Sequence, residues 1–461
     1  MLIDLVPDFS KNFAKGSHSE LRIHTNKTRK ASLLNGNLIG NSRSESSGVS
    51  ARVYKNGFYG FSSSAEYSPA TCLSVLNAAT SNAEYYASRL TSGKPALPDL
   101  PTGSIKIKED FSDPDQKFYI DVIREIDEHI KNTYPDLDSR GVTAYADSME
   151  KLLYVSNGYE SHSIMPRSYI YVTLTGANSS GEPIEVFRAF GGFGPLDTNF
   201  RDPSELYEDI ETIYKQLCDK KTAVFADAGF KTCILGPRMT GMLAHEAVGH
   251  TVEADLVLGG SVAGPNLGKT VASDKISLVD FAHTAFGAPT PLPVYVDDEG
   301  TKAEDALIID KGKLVGYMNS RETAEFFNMK PTGNARAYAF SDEPLIRMRN
   351  TAVLPGTDKL EDMIASVEDG YYLIDSNNGQ ADTTGEFMFG VTIGYEIKNG
   401  KLGKAIKDTT ISGVAFDMLK TVDMVSDEME WVSSGFCGKK QWMPVGMGGP
   451  SIKCRVNIGG R

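Results

Sequence analysis

The stretch Gly48-Val49-Ser50-Ala51-Arg52-Val53-Tyr54-Lys55-Asn56-Gly57-Phe58-Tyr59-Gly60 alternates apolar and polar side chains up to an Asn-Gly pair and then resumes with aromatic residues. Alternation with a period of two marks a half-buried strand. Asn-Gly is the strongest short-range hairpin signal, because both central residues of a type I′ turn need φ > 0. The segment therefore predicts two antiparallel strands. The same pair recurs as Asn35-Gly36, Asn157-Gly158 and Asn399-Gly400, each beside an apolar run. Hairpins are expected at both ends of the chain.

Helices are expected between them. Asp113-Pro114 reads as an N-cap followed by proline at the first helical position, with Tyr119, Ile123, Ile126 and Ile130 at helical spacing. Asp202-Pro203 repeats the device ahead of Leu206, Ile210, Ile213 and Leu217. Further helices are predicted over 71–90 and over 359–369, the second closed by Gly370. Strands dominate 140–190 and much of 290–460. The class is α+β, not a doubly wound parallel sheet. A chain of 461 residues exceeds one ordinary core. The expected division is an N-terminal α+β domain of antiparallel hairpins with helices at 1–225, then a β-rich domain at 226–461.

A net charge of −13 argues against general binding to nucleic acid or to an anionic membrane, either of which needs a basic face. Residues 1–55 carry nine Lys/Arg against four Asp/Glu, which reads as a solvated strand edge. The five cysteines are scattered and form no C-x-x-C pair, so neither a disulfide framework nor a zinc knuckle is expected. The opening Met1-Leu2-Ile3-Asp4-Leu5-Val6 is too short and too acidic for a signal peptide, and no apolar run reaches the length of a membrane span. A reducing cytoplasm is the expected compartment. The glycine clusters Gly191-Gly192-Phe193-Gly194 and Gly446-Met447-Gly448-Gly449 read as turns or as places of close backbone approach. The second cluster has another reading, a glycine-rich strand that pairs with an extended peptide.

The most chemical segment is His245-Glu246-Ala247-Val248-Gly249-His250. A hydrolytic zinc needs neutral imidazole ligands, an open position for water, and a carboxylate beside that water. His245 and His250 are candidate ligands and Glu246 the candidate base. The spacing exceeds H-E-x-x-H by one residue, which on a regular helix sets the two imidazoles about 140° apart, a poor chelate. An interruption is therefore predicted, a π-type closure stacking residues five apart, eased by the freedom of Gly249. An apolar core helix that happens to carry two satisfied histidines is the competing reading. For a third ligand, Glu253, Asp255 and His283 lie within chain reach. Cys437 is remote, but it is flanked by glycines and followed by Lys439 and Lys440, which would lower a thiol pKa. Residue chemistry alone leaves Glu253 and Cys437 level.

These segments together resemble the TldD/PmbA family, sometimes labelled modulators of DNA gyrase, and specifically its catalytic TldD branch. The resemblance runs from Gly48–Gly60 through His245–His250, which matches the family's H-E-x-x-x-H. It continues through Asp297-Asp298-Glu299-Gly300-Thr301, Gly333-Asn334-Ala335-Arg336, Arg347-Met348-Arg349-Asn350-Thr351 and Leu354-Pro355-Gly356, and closes on Gly435-Phe436-Cys437-Gly438-Lys439 with Pro444–Gly448. It implies an N-terminal α+β domain and a β-rich C-terminal domain with a twisted, barrel-like sheet. It also implies Zn2+ held by His245, His250 and Cys437, with Glu246 as general base. The implied function is a zinc-dependent peptidase cleaving unfolded or extended peptides within a dimer, either a homodimer or a heterodimer with a paralogue lacking the histidine motif. His283 and Arg336 are candidates for a second oxyanion donor. Two other readings stand beside it: a binding or adaptor protein with a structural metal or none, and an enzyme using Cys437 as nucleophile with a histidine base.

Overall fold

A computed structural model describes residues 9–100, 102–107, 111–376 and 378–460. The Met1–Val6 opening lies outside them. The first sheet holds β1 (His18–Leu34), β2 (Asn37–Lys55), β3 (Phe58–Ser64), β4 (Ser104–Ile107), β5 (Ser139–Val155), β6 (Tyr159–Ala177) and β7 (Pro183–Phe193). Its order is β3-β2-β1-β5-β6-β4, with β7 also on β6. Among the four Asn-Gly pairs, Asn35-Gly36, Asn56-Gly57 and Asn399-Gly400 have both residues at positive φ, as a type I′ turn demands. At the fourth, only Gly158 does, and a three-residue loop, Ser156–Gly158, joins β5 to β6.

Helices cover one face of this sheet. Helix α1 (Pro69–Arg89) starts with proline behind the Ser68 cap and buries Cys72, Val75, Leu76, Ala79 and Ala83 against Leu21, Val49, Ala51 and Val53. A side chain at Gly60 would collide with the α1 backbone at Ala79 and Ala83, so glycine sets that close approach. Helix α2 (Gln116–Thr133) and the helix Tyr207–Lys220 seal a second core on Val142, Ala144, Ile170 and Val172. Two details differ from the sequence reading. The cap of α2 is Asp115, whose carboxylate accepts from the Phe118 amide, while Asp113 instead pairs with Arg29 at 2.9 Å. The later helix is only Leu360–Ala365, because Gly370 lies in the strand Asp369–Asp375, hydrogen-bonded beside Thr232.

The second sheet has thirteen strands and spans Gly229–Ile458. Its spine is the strand Gly446–Ile458. One edge of the spine pairs with Asn350–Val353 and then with β8 (Gly229–Leu235). The other edge pairs with Met424–Val432 and then with Thr409–Val414. The sheet is branched, and it is not closed into a barrel. Both edges of Gly446–Gly449 are thus occupied by the protein's own strands, which overturns the reading of that segment as a template for a substrate strand. Among the described residues no helix is long and apolar enough to cross a membrane.

The two sheets meet through buried charge. Arg52 of β2 bonds Glu20 of β1 at 2.9 Å and Glu299 at 2.6 Å. Asp298 takes Lys151 of β5 at 2.6 Å and Arg22 of β1 at 3.7 Å. Two of the N-terminal arginines are therefore interface groups and not part of a solvated edge, whereas Asn37–Ser46 of β2 is largely exposed. Burial alone would raise the Glu20 carboxyl, but Arg52 overrides it and holds the pKa at about 2. Burial likewise opposes Lys151 and Arg22 at Asp298, which also sits at about 2. Depressed carboxylate pKa values stabilise the fold above the ordinary values of 4.5 and 3.8, and that stability is lost as pH falls towards about 2. In urea titrations at stepped pH, Glu20→Gln is expected to be less stable than the parent above pH 4.5, with the gap narrowing towards pH 2. A gap independent of pH across that window would contradict the assignment.

Candidate metal centre

Strand β8 ends at Leu235, and Pro237 opens a short helix, Pro237–Met242, at a position where a missing N–H costs nothing. This helix lies almost backbone to backbone on the spine strand. A first side-chain carbon at Gly241 would be 3.0 Å from the Gly448 nitrogen, and one at Gly449 would be 2.7 Å from Thr240 Cγ2. Gly241 and Gly449 serve this approach, whereas a side chain at Gly446 would meet Asn350 and one at Gly448 would meet Trp431.

From Leu243 to Gly249 the chain is a π-helix, followed by a 3-10 turn, His250–Val252. The His250 amide donates to the His245 carbonyl, the i→i+5 closure that brings the two imidazoles together. Their ring centres are 5.3 Å apart with planes at 79°. The predicted interruption is present, but its cause is not the freedom of Gly249. That residue has ordinary right-handed helical angles, φ −53° and ψ −50°. A side chain there would collide with the sulfur of Met348, so the glycine is demanded by packing.

The structure brings His245, His250 and Cys437 together, with their donor atoms all within 4.8 Å of one another. The Cys437 Sγ lies 3.3 Å from His250 Nε2. His245 is buried, and neither of its ring nitrogens has a hydrogen-bond partner among the described residues. Leaving such atoms dry and unpaired costs on the order of 1–3 kcal/mol, which a cation at this point would relieve. Glu246, the residue between, is about a quarter exposed; its carboxylate oxygens lie 4.0 Å from His245 Nε2 and 3.7 Å from His250 Nε2.

Cys437 sits in the short strand Phe436–Cys437, paired with Met443–Pro444. Burial raises its thiol, but His245 and His250 outweigh that and bring it down to about 3. The lysines are not the cause, since Lys439 faces carboxylates and Lys440 is exposed, at φ +56°. Burial disfavours the charged form of His250, yet Glu253 and Cys437 raise it to about 10. Each shift favours the charged form because the other group lies 3.3 Å away, and a divalent cation would take the place of the proton between them. The two histidines, a thiolate and a nearby free carboxylate suit zinc.

The other candidates fall elsewhere. Glu253 is fully buried behind His250 and takes its Nδ1 at 2.7 Å, which turns Nε2 towards the thiol. It stands behind His250, outside the group of converging donors. Asp255 bonds Lys439 at 2.7 Å. His283 stacks on Tyr295 and is not in the donor group. Arg336 Nη1 bonds the carbonyls of Met348 and Pro444. Arg347 stood in a sequence motif with no role assigned to it. Fully buried, it donates to the carbonyls of Cys437, Lys439 and Gln441 at 2.7, 3.0 and 2.7 Å and shapes the cysteine loop. The adjacent Met348 packs on Gly249, and Arg349 bonds Asp280 at 2.9 Å, so this arginine-rich motif braces the centre from below. From the first sheet, Tyr169 Oη donates to the Ser433 carbonyl at 2.7 Å, holding the chain just before Cys437.

Two histidines and one cysteine that could together hold a metal ion thus stand on a mixed α+β scaffold. Residues 229–460 match the model of the PmbA/TldA metallopeptidase C-terminal domain, and residues 19–83 match that of PmbA/TldA metallopeptidase domain 1. A metalloprotease of Methanocaldococcus jannaschii is 31% identical over 96% of this chain and 97% of its own. A zinc metalloprotease TldD homologue of Saccharolobus solfataricus is 28% identical over 77% of this chain and 79% of its own. The crystal structure of TldE from Thermococcus kodakarensis is similar in fold, with a TM-score of 0.77 at 17% identity over 99% of this chain and 100% of that one. The chain belongs to the PmbA/TldA metallopeptidase family.

The Gly249–Met348 contact is testable by a double-mutant cycle. Gly249→Ala is expected to cost roughly 1–3 kcal/mol by overpacking, and Met348→Ala in the same chain to recover part of it. Additive losses in chemical denaturation would refute the contact.

Proposed function

We propose that this chain is a zinc-dependent peptidase of the HExxxH type, with His245, His250 and Cys437 holding Zn2+ and Glu246 as general base. The observation that carries the reading is the convergence of three donors beside a partly exposed carboxylate. Zinc held by these three residues would supply Lewis acidity at this point. Glu246, within 4.0 Å of both histidines' Nε2 atoms, takes the proton from the attacking water. It later returns that proton to the leaving amine. Glu253 fixes the His250 tautomer by accepting from Nδ1. Burial of His245 and Cys437 excludes competing solvent from the donor side. Substrates are unfolded or extended peptides, cleaved within a homodimer or a heterodimer with a paralogue lacking the histidine motif. Neither nucleic acid nor membrane is a partner. A cytoplasmic setting fits five free thiols.

An adaptor with a structural metal would need a closed four-ligand shell. Glu253 is engaged on the wrong nitrogen for that, and His283 lies stacked on Tyr295.

Glu246→Gln, assayed for zinc content and for cleavage of an unstructured peptide, tests the assignment. Expected are retained zinc and a rate reduced at least ~100-fold, the usual scale of a general base. Undiminished cleavage would remove Glu246 from the role. Chelation should abolish cleavage and added zinc restore it, whereas activity surviving chelation would favour Cys437 as nucleophile.

A further inference from the structure

The donor set is assembled from two segments 187 residues apart, and nothing in the histidine helix itself explains why Cys437 stays beside His250. Arg347 curls the cysteine loop, but it bonds only that loop's carbonyls. The direct link between loop and helix is Lys439. Its ammonium lies 2.7 Å from Asp255 Oδ2 and 3.3 Å from Glu253 Oε2, and it donates to the Ile346 carbonyl at 3.1 Å. Its hydrogen bonds go to Asp255 and to the Ile346 carbonyl, and the Glu253 carboxylate adds an ion pair from a third place.

The contact with Glu253 matters most. Glu253 is fully buried, its Oε2 faces both His250 Nδ1 and Lys439 Nζ, and its Oε1 has no hydrogen-bond partner among the described residues. A buried carboxylate in that position needs compensating charge. Lys439 supplies it, and the same bond holds the loop carrying Cys437 against the element carrying His250. The chain geometry commits to this: Lys440, the next residue, takes φ +56°, a left-handed conformation that is costly for a lysine. The turn leaves Lys439 nearly buried while Lys440 is exposed.

We propose that Lys439 is a positioning residue of the metal centre, clasping Glu253 and Asp255 so that Cys437 is held in ligating register with His250. This rests on the three-donor reading above. It assigns no contact between Lys439 and metal or substrate. The clasp aligns His250 through Glu253 and Cys437 through the loop, so its loss acts on metal affinity before it acts on fold.

The test is zinc affinity by competition with a chromophoric chelator, on the full chain, for Lys439→Met, Lys439→Arg and Asp255→Asn. Supports behind metal ligands typically contribute 10–100-fold to affinity. Lys439→Met is expected to weaken zinc by about that factor, Asp255→Asn by less, and Lys439→Arg to keep most of it. In metal-free protein, alkylation of Cys437 should also accelerate in Lys439→Met as the loop loosens. Should Lys439→Met fail to fold, Asp255→Asn, whose partner site is partly exposed, carries the test alone. Zinc affinity equal to the parent in a folded Lys439→Met or Asp255→Asn would overturn the clasp. Absence of zinc binding in the parent chain would instead overturn the metal reading itself, so the two failures are separable.

Discussion

One backbone hydrogen bond sets the centre: the amide of His250 to the carbonyl of His245, five residues back. In α register the same two imidazoles would diverge by about 140°. Closing the ring at five residues brings them edge to face instead, at the cost of a helical geometry that few segments adopt. The H-E-x-x-x-H spacing and the π-helix are therefore one fact seen in sequence and in space.

Such a turn persists only if its surroundings determine it. Here they do so by contact between backbones and by exclusion. Gly241 lets the leading helix settle on the spine strand at Gly448, while Gly249 leaves room for Met348. Ala247 and Val248 point into the core, which pins the face on which Glu246 emerges. Arg347 and Lys439 then deliver Cys437 from the other end of the sequence. The first sheet contributes through Tyr169 and through the buried pairs at Glu20, Arg52 and Asp298, so the metal centre depends on both sheets packing correctly.

Local signals were legible where one residue's backbone decides the outcome. Asn35, Asn56 and Asn399 announce their turns because positive φ is a local requirement. Asp202 caps not the helix itself but the 3-10 turn Pro203–Leu206 two residues on, and the helix Tyr207–Lys220 follows without a side-chain cap of its own. Reading failed where a partner lies far along the chain. Asp113 looks like a cap until Arg29 claims it. Gly370 looks like a helix stop until β8 pairs beside it. The glycines at 446–449 looked free to bind a peptide, but both of their edges are filled. At the centre itself the histidines and Glu246 follow from spacing. Glu253 lies only three residues from His250, but spacing does not say whether it meets the metal position or the ring nitrogen behind it. The roles of Arg347 and Lys439 depend on contacts across about ninety residues or more, and no local pattern encodes these.

The central claim is a zinc bound by two imidazoles and one thiolate. X-ray absorption at the zinc edge on the purified, zinc-loaded chain tests it most directly. The expected result is one sulfur at about 2.3 Å and two nitrogens at about 2.0–2.1 Å, with a lighter atom completing the shell. The sulfur should vanish in Cys437→Ser. A shell without sulfur in the parent chain, or one unchanged by that substitution, would contradict the assignment of Cys437 and with it the assembly of the centre from both ends of the chain.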